Sequence, residues 1–254
     1  MNTNPHLVRG VLVTEMDALS PTPPTVSAQL AALRALREVI DQHVRYPAVV
    51  GVLGKRGAGK SSLCNALLGE EIAEVSEVHA GTLSPQELTV VYRQGKGLSL
   101  IDMPGIGAAE DTQYLEAPFY RDLLPECDLL LWLIKSDDRA LGIDAQVYTE
   151  LIRPFAEQAG VPVLCVISQA DKIAPCQEWD WARQQPGPAQ WQNLQDKVSQ
   201  LRRQFDLVAL PICPVSVNSP YGLLQLLEVI LRSLPHQRRT QFPRDLSDRP
   251  APET

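Results

Sequence analysis

No Cys-x-x-Cys pair occurs in the chain, and its cysteines, Cys64, Cys127, Cys165, Cys176 and Cys213, are odd in number. That excludes a disulfide framework and a thiolate zinc site. Four of the five lie in or beside apolar segments, where free thiols behave as small core residues, and a reducing cytoplasm fits this usage. His6, His43, His79 and His236 stand apart from one another, with no carboxylate or thiol at ligand spacing, so neither a metal cluster nor a nucleophilic triad is supported. No run of about 18 apolar residues occurs, so no membrane-spanning helix is expected. Residues 1–10 lack a charged start followed by an apolar stretch, which argues against a secretory signal. Positive charge is also short. The net charge is −7, residues 1–46 balance four basic against four acidic side chains, and residues 232–254 carry five Arg against three acids. The middle is therefore strongly acidic and a poor partner for a nucleic-acid backbone, leaving only a local patch for such contact.

The 254 residues, 44% hydrophobic and 21% charged, describe an ordinary globular chain of one large domain or two small ones. Residues 1–26, rich in Pro, Thr and Asn, read as a mobile arm. An amphipathic helix follows over 27–46: Ser27 caps it, and Leu30, Leu33, Leu36, Ile40 and Val44 form one stripe. That stripe either docks on the domain that follows or meets a partner helix. After Pro47, short apolar runs at 48–53, 87–92, 98–101, 129–134, 161–167 and 210–215 alternate with helical segments at 60–68, 144–159, 189–205 and 221–234. Near-continuous Val, Leu and Ile in the runs predicts strands covered on both faces, and Gln94-Gly95-Lys96-Gly97 predicts a hairpin turn between the second and third. The alternation predicts a three-layer α/β domain over 47–235 with most strands parallel. Residues 236–254 read as a flexible tail.

The first strand enters Gly54-Lys55-Arg56-Gly57-Ala58-Gly59-Lys60-Ser61, a full G-x-x-x-x-G-K-[ST] match. Such a loop turns backbone N–H groups around an anion, and side chains at Gly54 and Gly59 would obstruct the approach. The helix behind it points its positive end at the same phosphates. Lys60 adds a charge over the β and γ phosphates, and the Ser61 hydroxyl is placed to ligate Mg²⁺. The competing reading, a glycine turn matching by chance, is opposed by the strand before and the helix after. Leu98-Ser99-Leu100-Ile101-Asp102-Met103-Pro104-Gly105 then delivers a carboxylate, Asp102, for the Mg²⁺ water shell, and the Gly105 N–H is placed to sense a γ phosphate.

These two motifs at this separation resemble the TRAFAC class of GTPases, and particularly its Era-like branch. Gly59-Lys60-Ser61-Ser62-Leu63-Cys64-Asn65-Ala66-Leu67-Leu68-Gly69, Val78-His79-Ala80-Gly81-Thr82, the 129–141 stretch and Gln169-Ala170-Asp171-Lys172 are similar to a group of small bacterial, often prophage-borne GTPases commonly labelled ribosome-binding. The resemblance covers about residues 46 to 235. It implies a P-loop NTPase G domain with a mostly parallel six-stranded sheet and one antiparallel strand. It also implies Mg²⁺ as cofactor, GTP and GDP as ligands, and slow hydrolysis of GTP in a molecular switch. By that resemblance Lys55, Arg56, Gly57, Ala58 and Ser62 belong to the nucleotide site with Gly54, Gly59, Lys60 and Ser61. Thr82 is the switch residue that closes on Mg²⁺ and the γ phosphate, or else a plain loop hydroxyl; Asp102 reaches the metal through water, and Gly105 joins Thr82 and Lys60 at the γ phosphate. Gln169 and Asp171 face the base, the Asp171 carboxylate accepting from guanine N1–H and the exocyclic amine. Pro214-Val215-Ser216-Val217-Asn218 brings the Ser216 and Val217 backbone N–H groups to guanine O6.

Three positions depart from the pattern. The usual N-K-x-D reads Ser168-Gln169-Ala170-Asp171, so the purine face lacks a cation at residue 169 and looser binding is expected. Ile106 stands where some GTPases have a water-orienting Gln, which predicts slow intrinsic turnover. Gly57 stands where potassium-activated relatives have Asn. An arginine supplied in trans is one remedy, with Arg56 and Arg139 as candidates, unless both are simply surface charges. Trp179, Trp181 and Trp191 in a Pro-rich stretch form a partner surface or pack their loop onto the domain. The rival functions are a GTP-closed homodimer with hydrolysis as a timer, an ATPase in which Asp171 is incidental, and RNA or ribosome contact through the Arg-bearing tail. A switch also implies a protein effector.

Overall fold

The computed structural model describes residues 46–68, 86–93, 96–103, 105, 120, 123–205 and 210–235. The expected arm, all but the last residue of the N-terminal helix, the C-terminal tail, Thr82, Ile106 and the four histidines lie outside the described residues. Six strands, β1 (Pro47–Gly54), β2 (Gln86–Arg93), β3 (Lys96–Asp102), β4 (Leu129–Lys135), β5 (Val163–Ser168) and β6 (Ile212–Pro214), form one sheet in the order β2-β3-β1-β4-β5-β6. The last five in that order run parallel, and β2 pairs antiparallel with β3 through Arg93↔Lys96.

Strand alternation feeds two cores. Val49, Leu53, Ile101, Leu130, Trp132, Ile134, Cys165 and Ile167 face one side of the sheet; Val50, Val52, Leu98, Leu100, Leu131, Leu133 and Val166 face the other. Both sets are buried, which is why the strands read as continuous apolar runs. The second face is covered by α1 (Lys60–Leu68), through Leu63, Cys64 and Leu67, and by α5 (Leu223–Ser233), through Leu223, Leu226, Leu227 and Ile230. The first face is covered by α2 (Gly142–Val147), a π turn (Tyr148–Ile152), α3 (Arg153–Ala159) and α4 (Pro188–Phe205). There Trp132 stacks on Tyr148 with centroids 4.7 Å apart, and Phe205 meets Trp132 edge-on at 4.9 Å.

Three elements differ from the expected ones. The segment expected as one helix over 144–159 begins at Gly142 and widens into the π turn just before Pro154, whose missing N–H and ring cannot continue a regular α ladder. The fifth strand starts at Val163, not 161: Gly160, at φ 65°, ends α3, and the Val161 N–H returns to the Ala156 carbonyl. The last strand shortens to Ile212–Pro214.

Parallel registry then aligns the strand ends. Val52 of β1 pairs with Asp102 of β3, Gly54 with Leu133 of β4, and Lys135 with Ser168 of β5. The loops that follow β1, β3, β4 and β5 leave one edge together, the position for a ligand in a sheet of this kind.

Candidate functional site

At the end of β1 the backbone of Gly54 (φ 150°) packs so closely on β4 that a Cβ would lie 2.6 Å from the Leu133 carbonyl oxygen. Only glycine fits there, and the chain can turn at once into the loop. Gly57 and Gly59 are both left-handed, at φ 76° and 82°, and the loop closes with Ala58 N–H donating to the Lys55 carbonyl across 3.1 Å. Alternating backbone hands of this sort make a concave row of N–H groups. Ala58 itself is buried in the core under α1.

Lys60 is buried at the start of α1, and its ammonium donates to the carbonyls of Gly54 at 3.2 Å and Lys55 at 3.3 Å. Burial lowers its pKa, opposed in part by the Asp102 carboxylate. The lysine is thus a partly desolvated cation at the mouth of the loop, a place where an arriving anion gains a strong contact. One residue on, the Ser61 hydroxyl donates to Asp102 Oδ2 at 2.5 Å, so a hydroxyl of α1 and a buried carboxylate from the end of β3 converge on one point. Gly105 lies against the loop: a Cβ there would stand 2.8 Å from Arg56 Cα and 2.9 Å from its backbone nitrogen.

Lys55 points elsewhere. Its ammonium meets Asp144 Oδ2 at 2.6 Å, Asp138 Oδ2 at 2.9 Å and the Ala140 carbonyl at 2.6 Å. Burial opposes its charge, but the two carboxylates outweigh that and raise its pKa. The side chain therefore anchors the loop to the segment after β4 and takes no place in the cavity. Asp138 also accepts the Ala140 N–H, and its main-chain carbonyl accepts from Lys197 of α4.

The other end of the site is built after β5. Ala170–Lys172 forms a single 3-10 turn, entered through Gln169 in a left-handed conformation. Gln169 Nε2 donates to the Gly57 carbonyl at 2.9 Å, Lys172 Nζ donates to Gln169 Oε1 at 2.8 Å, and Ser136 Oγ donates to the Gln169 carbonyl at 2.6 Å. Asp171 is buried, and its carboxylate accepts from Ser216 Oγ at 2.6 Å and from Asn218 Nδ2 at 3.4 Å.

One cavity of about 490 Å³ joins these ends; Arg56, Gly57, Gly59, Lys60, Ser61, Ser62 and Gly105 line one part, and Gln169, Asp171 and Val217 the other. Of the expected site residues, Thr82 lies outside the described ones. Ser216 is corrected in role: its backbone N–H donates to the Tyr221 carbonyl at 3.0 Å and is not available to a base oxygen, whereas its hydroxyl holds Asp171. Lys172 and Asn218 line the cavity and were not foreseen; Lys172 sits one turn after Gln169, a spacing that could have signalled it. Of the tryptophans, Trp179 is buried and meets Tyr221 edge-on at 5.5 Å, while Trp181 is 59% exposed, so the loop both packs and presents an aromatic.

A concave loop between the first strand and helix, with a hydroxyl and a strand-end carboxylate beneath it and a base-sized recess ending in a carboxylate, is the arrangement of a P-loop G domain. Residues 49–169 match the family described as 50S ribosome-binding GTPase. The chain is 41% identical over 204 residues to the Escherichia coli protein YkfA, covering 80% of this chain and 67% of that one. It is 26% identical over 201 residues to GTPase Era of Aquifex aeolicus, covering 78% of this chain and 60% of that one. The chain belongs to this GTPase family. Its fold is shared with the crystal structure of Toc33 from Arabidopsis thaliana in complex with Mg²⁺ and GMPPNP, at a TM-score of 0.62 and 20% identity over 84% of this chain and 94% of that one.

Proposed function

We propose that this chain binds GTP and GDP with Mg²⁺, hydrolyses GTP to GDP and phosphate, and serves as a switch whose intrinsic turnover is low. The observation that carries the reading is one continuous cavity with Lys60 lining one end and Asp171 the other. A carboxylate accepts two adjacent donors, the pattern of guanine N1–H and exocyclic amine, and adenine offers an acceptor at N1 instead. Ser216 and Asn218 hold that carboxylate in place.

The donor set fits a hard divalent cation. Ser61 Oγ and Asp102 Oδ2 are oxygen ligands already converged at 2.5 Å, with Ser61 placed for direct contact and Asp102 for contact through water. Bound there, Mg²⁺ would neutralise charge on the β and γ oxygens. Lys60 and the loop amides hold the phosphates and stabilise the charge that develops as water attacks. Gly105, packed on Arg56, and Thr82 order the switch segments around the γ phosphate.

Low turnover is supported by Ile106, an apolar residue where some GTPases carry a water-orienting Gln. Acceleration by a partner, either an effector protein or a second copy of the chain, completes the reading. Calorimetric titration with GTP, GDP and ATP, with and without Mg²⁺, tests it. Binding of both guanine nucleotides in preference to ATP is expected, with a shift toward xanthine nucleotides in Asp171→Asn; equal affinity for ATP would overturn it.

A further inference from the structure

From the strand side the turn that carries Asp171 is held at its start, by Ser136 Oγ on the Gln169 carbonyl at 2.6 Å and by the Ala170 N–H on the Val215 carbonyl at 2.9 Å. The Ser168 hydroxyl reaches only the Ile134 carbonyl at 3.5 Å, the outer limit of a hydrogen bond. The turn's later carbonyls are held from α4. Gln190, fully buried, donates through Nε2 to the Ile173 carbonyl at 2.9 Å and to the Asp171 carbonyl at 3.3 Å, bracketing the turn on both sides. Its Oε1 accepts the Gly187 N–H at 3.2 Å. Gly187 is the residue whose carbonyl accepts the first helical bond, from Trp191 N–H at 2.8 Å, so Gln190 is also the third helical residue reaching back to its cap. Asn193 Nδ2, on the next turn, donates to the Ala174 carbonyl at 2.7 Å, and Glu178 Oε2 accepts the Ala189 N–H at 3.0 Å. The start of an 18-residue helix therefore grips the chain from Asp171 to Glu178 at several points.

We infer that Gln190 is the positioning residue for base selectivity, fixing the Asp171 main chain so that its carboxylate meets both guanine donors at once; this rests on the GTP reading above. One buried side-chain amide satisfies three main-chain groups, two carbonyls and an N–H. Removing it orphans two carbonyls at the base turn, and the turn shifts to find new donors. Asp171 then keeps one guanine contact in place of two. The phosphate end, held by Lys55 and the sheet, meets this turn through the exposed Gln169–Gly57 bond.

The test compares GTP with ITP, which lacks the exocyclic amine, and uses Mg²⁺ with inorganic tripolyphosphate to report the phosphate end alone. In Gln190→Met, a variant of similar volume, the GTP-over-ITP preference is expected to shrink about tenfold while tripolyphosphate affinity falls by no more than about fivefold, the value of the one exposed Gln169–Gly57 bond. Gln190→Glu keeps the acceptor for Gly187 and, protonated in this buried place, one donor for the turn; its preference is expected to fall between, and it serves as the test if Gln190→Met does not fold. An unchanged GTP-over-ITP ratio in either folded variant, whatever the loss in melting temperature, overturns the inference. A wild-type chain with no preference for GTP over ITP overturns the base-site reading and the inference with it.

Discussion

The side-chain amide of Gln169 donates to the backbone carbonyl of Gly57 across 2.9 Å, tying the base end of the cavity to the phosphate loop, and Lys172 Nζ donates in turn to Gln169 Oε1 at 2.8 Å. A cation was missing from residue 169 in the sequence, and looser binding followed from that. In the structure the Gln169 amide reaches the phosphate loop and the Lys172 ammonium, one turn further on, reaches that amide. Gln169→Ala removes both the tether and the Lys172 contact and is expected to weaken GTP binding by about fivefold to thirtyfold, since each exposed bond is worth about 1 kcal/mol. Gln169→Lys is expected to bind at least as tightly as wild type. Calorimetry on the two variants distinguishes them: equal weakening by both would show that the residue acts only by packing.

Lys60 costs the protein stability, because burial of its charge outweighs the attraction of the Asp102 carboxylate. Its pKa is lowered from 10.5 by burial, so the penalty is present at neutral pH and is relieved as pH rises from the lowered folded value toward 10.5. Lys60→Met is therefore expected to melt at a temperature equal to or above that of the nucleotide-free wild type near pH 7, with the advantage shrinking toward pH 10. The same variant is expected to lose at least about 100-fold in GTP affinity, the value of a charge-assisted contact to phosphate in a dry site. Thermal melts with and without GTP read both effects in one experiment.

Lys55 is the opposite case. Removing its ammonium leaves Asp144, 3% exposed, without its counter-charge, and Lys55→Met is expected to destabilise the fold by about 2 kcal/mol. The Lys55 pKa is raised above 10.5, so the wild-type advantage over Lys55→Met is fully present below pH 10.5 and is lost as pH rises through the folded value. Asp138, whose carboxyl is held below its ordinary 3.8 by Lys55 and the Ala140 N–H despite burial, contributes stability above that value and loses it as pH falls through the lower folded one. Chemical denaturation of the two proteins at pH 7 and pH 11 checks the alkaline arm; a difference that persists unchanged at pH 11 refutes the ion-pair account.

The parts of this molecule legible in sequence are those set by local periodicity and by spacing. The strand runs show because both faces are covered; Lys60–Leu68 was placed to the residue because Gly59 and the motif fix its start. Asp102, Asp171 and the loop were named for the chemistry that short motifs demand. Contacts between distant segments were not legible. Nothing near Lys55 in the chain marks Asp138 or Asp144 as its partners, 83 residues away in the first case. The Ser216 amide was assigned to a base because a loop after a last strand presents amides there; its return bond to Tyr221 depends on a two-sided turn that only the fold closes. Gln190 could have been read as a cap from Gly187-Pro188-Ala189-Gln190, yet its hold on Asp171 requires knowing that α4 begins beside the base turn.

Gly105 sits where the chain leaving β3 crosses the phosphate loop, and the contact is backbone to backbone. A methyl group there would stand 2.8 Å from Arg56 Cα, and neither partner has a flexible end that could yield. Gly105→Ala therefore pushes the segment after Asp102 away from the loop while leaving Lys60, Ser61 and the base end untouched. GDP, which engages those groups, is expected to bind within about twofold of wild type, because none of its hydrogen bonds is removed. Hydrolysis requires the displaced segment to close over the γ phosphate, and a misplacement approaching 1 Å at a reacting centre costs about 100-fold in rate. Single-turnover GTP hydrolysis beside GDP titration separates the two effects, and a variant that loses GDP affinity in step with its rate would show that Gly105 shapes the pocket itself and not its closure.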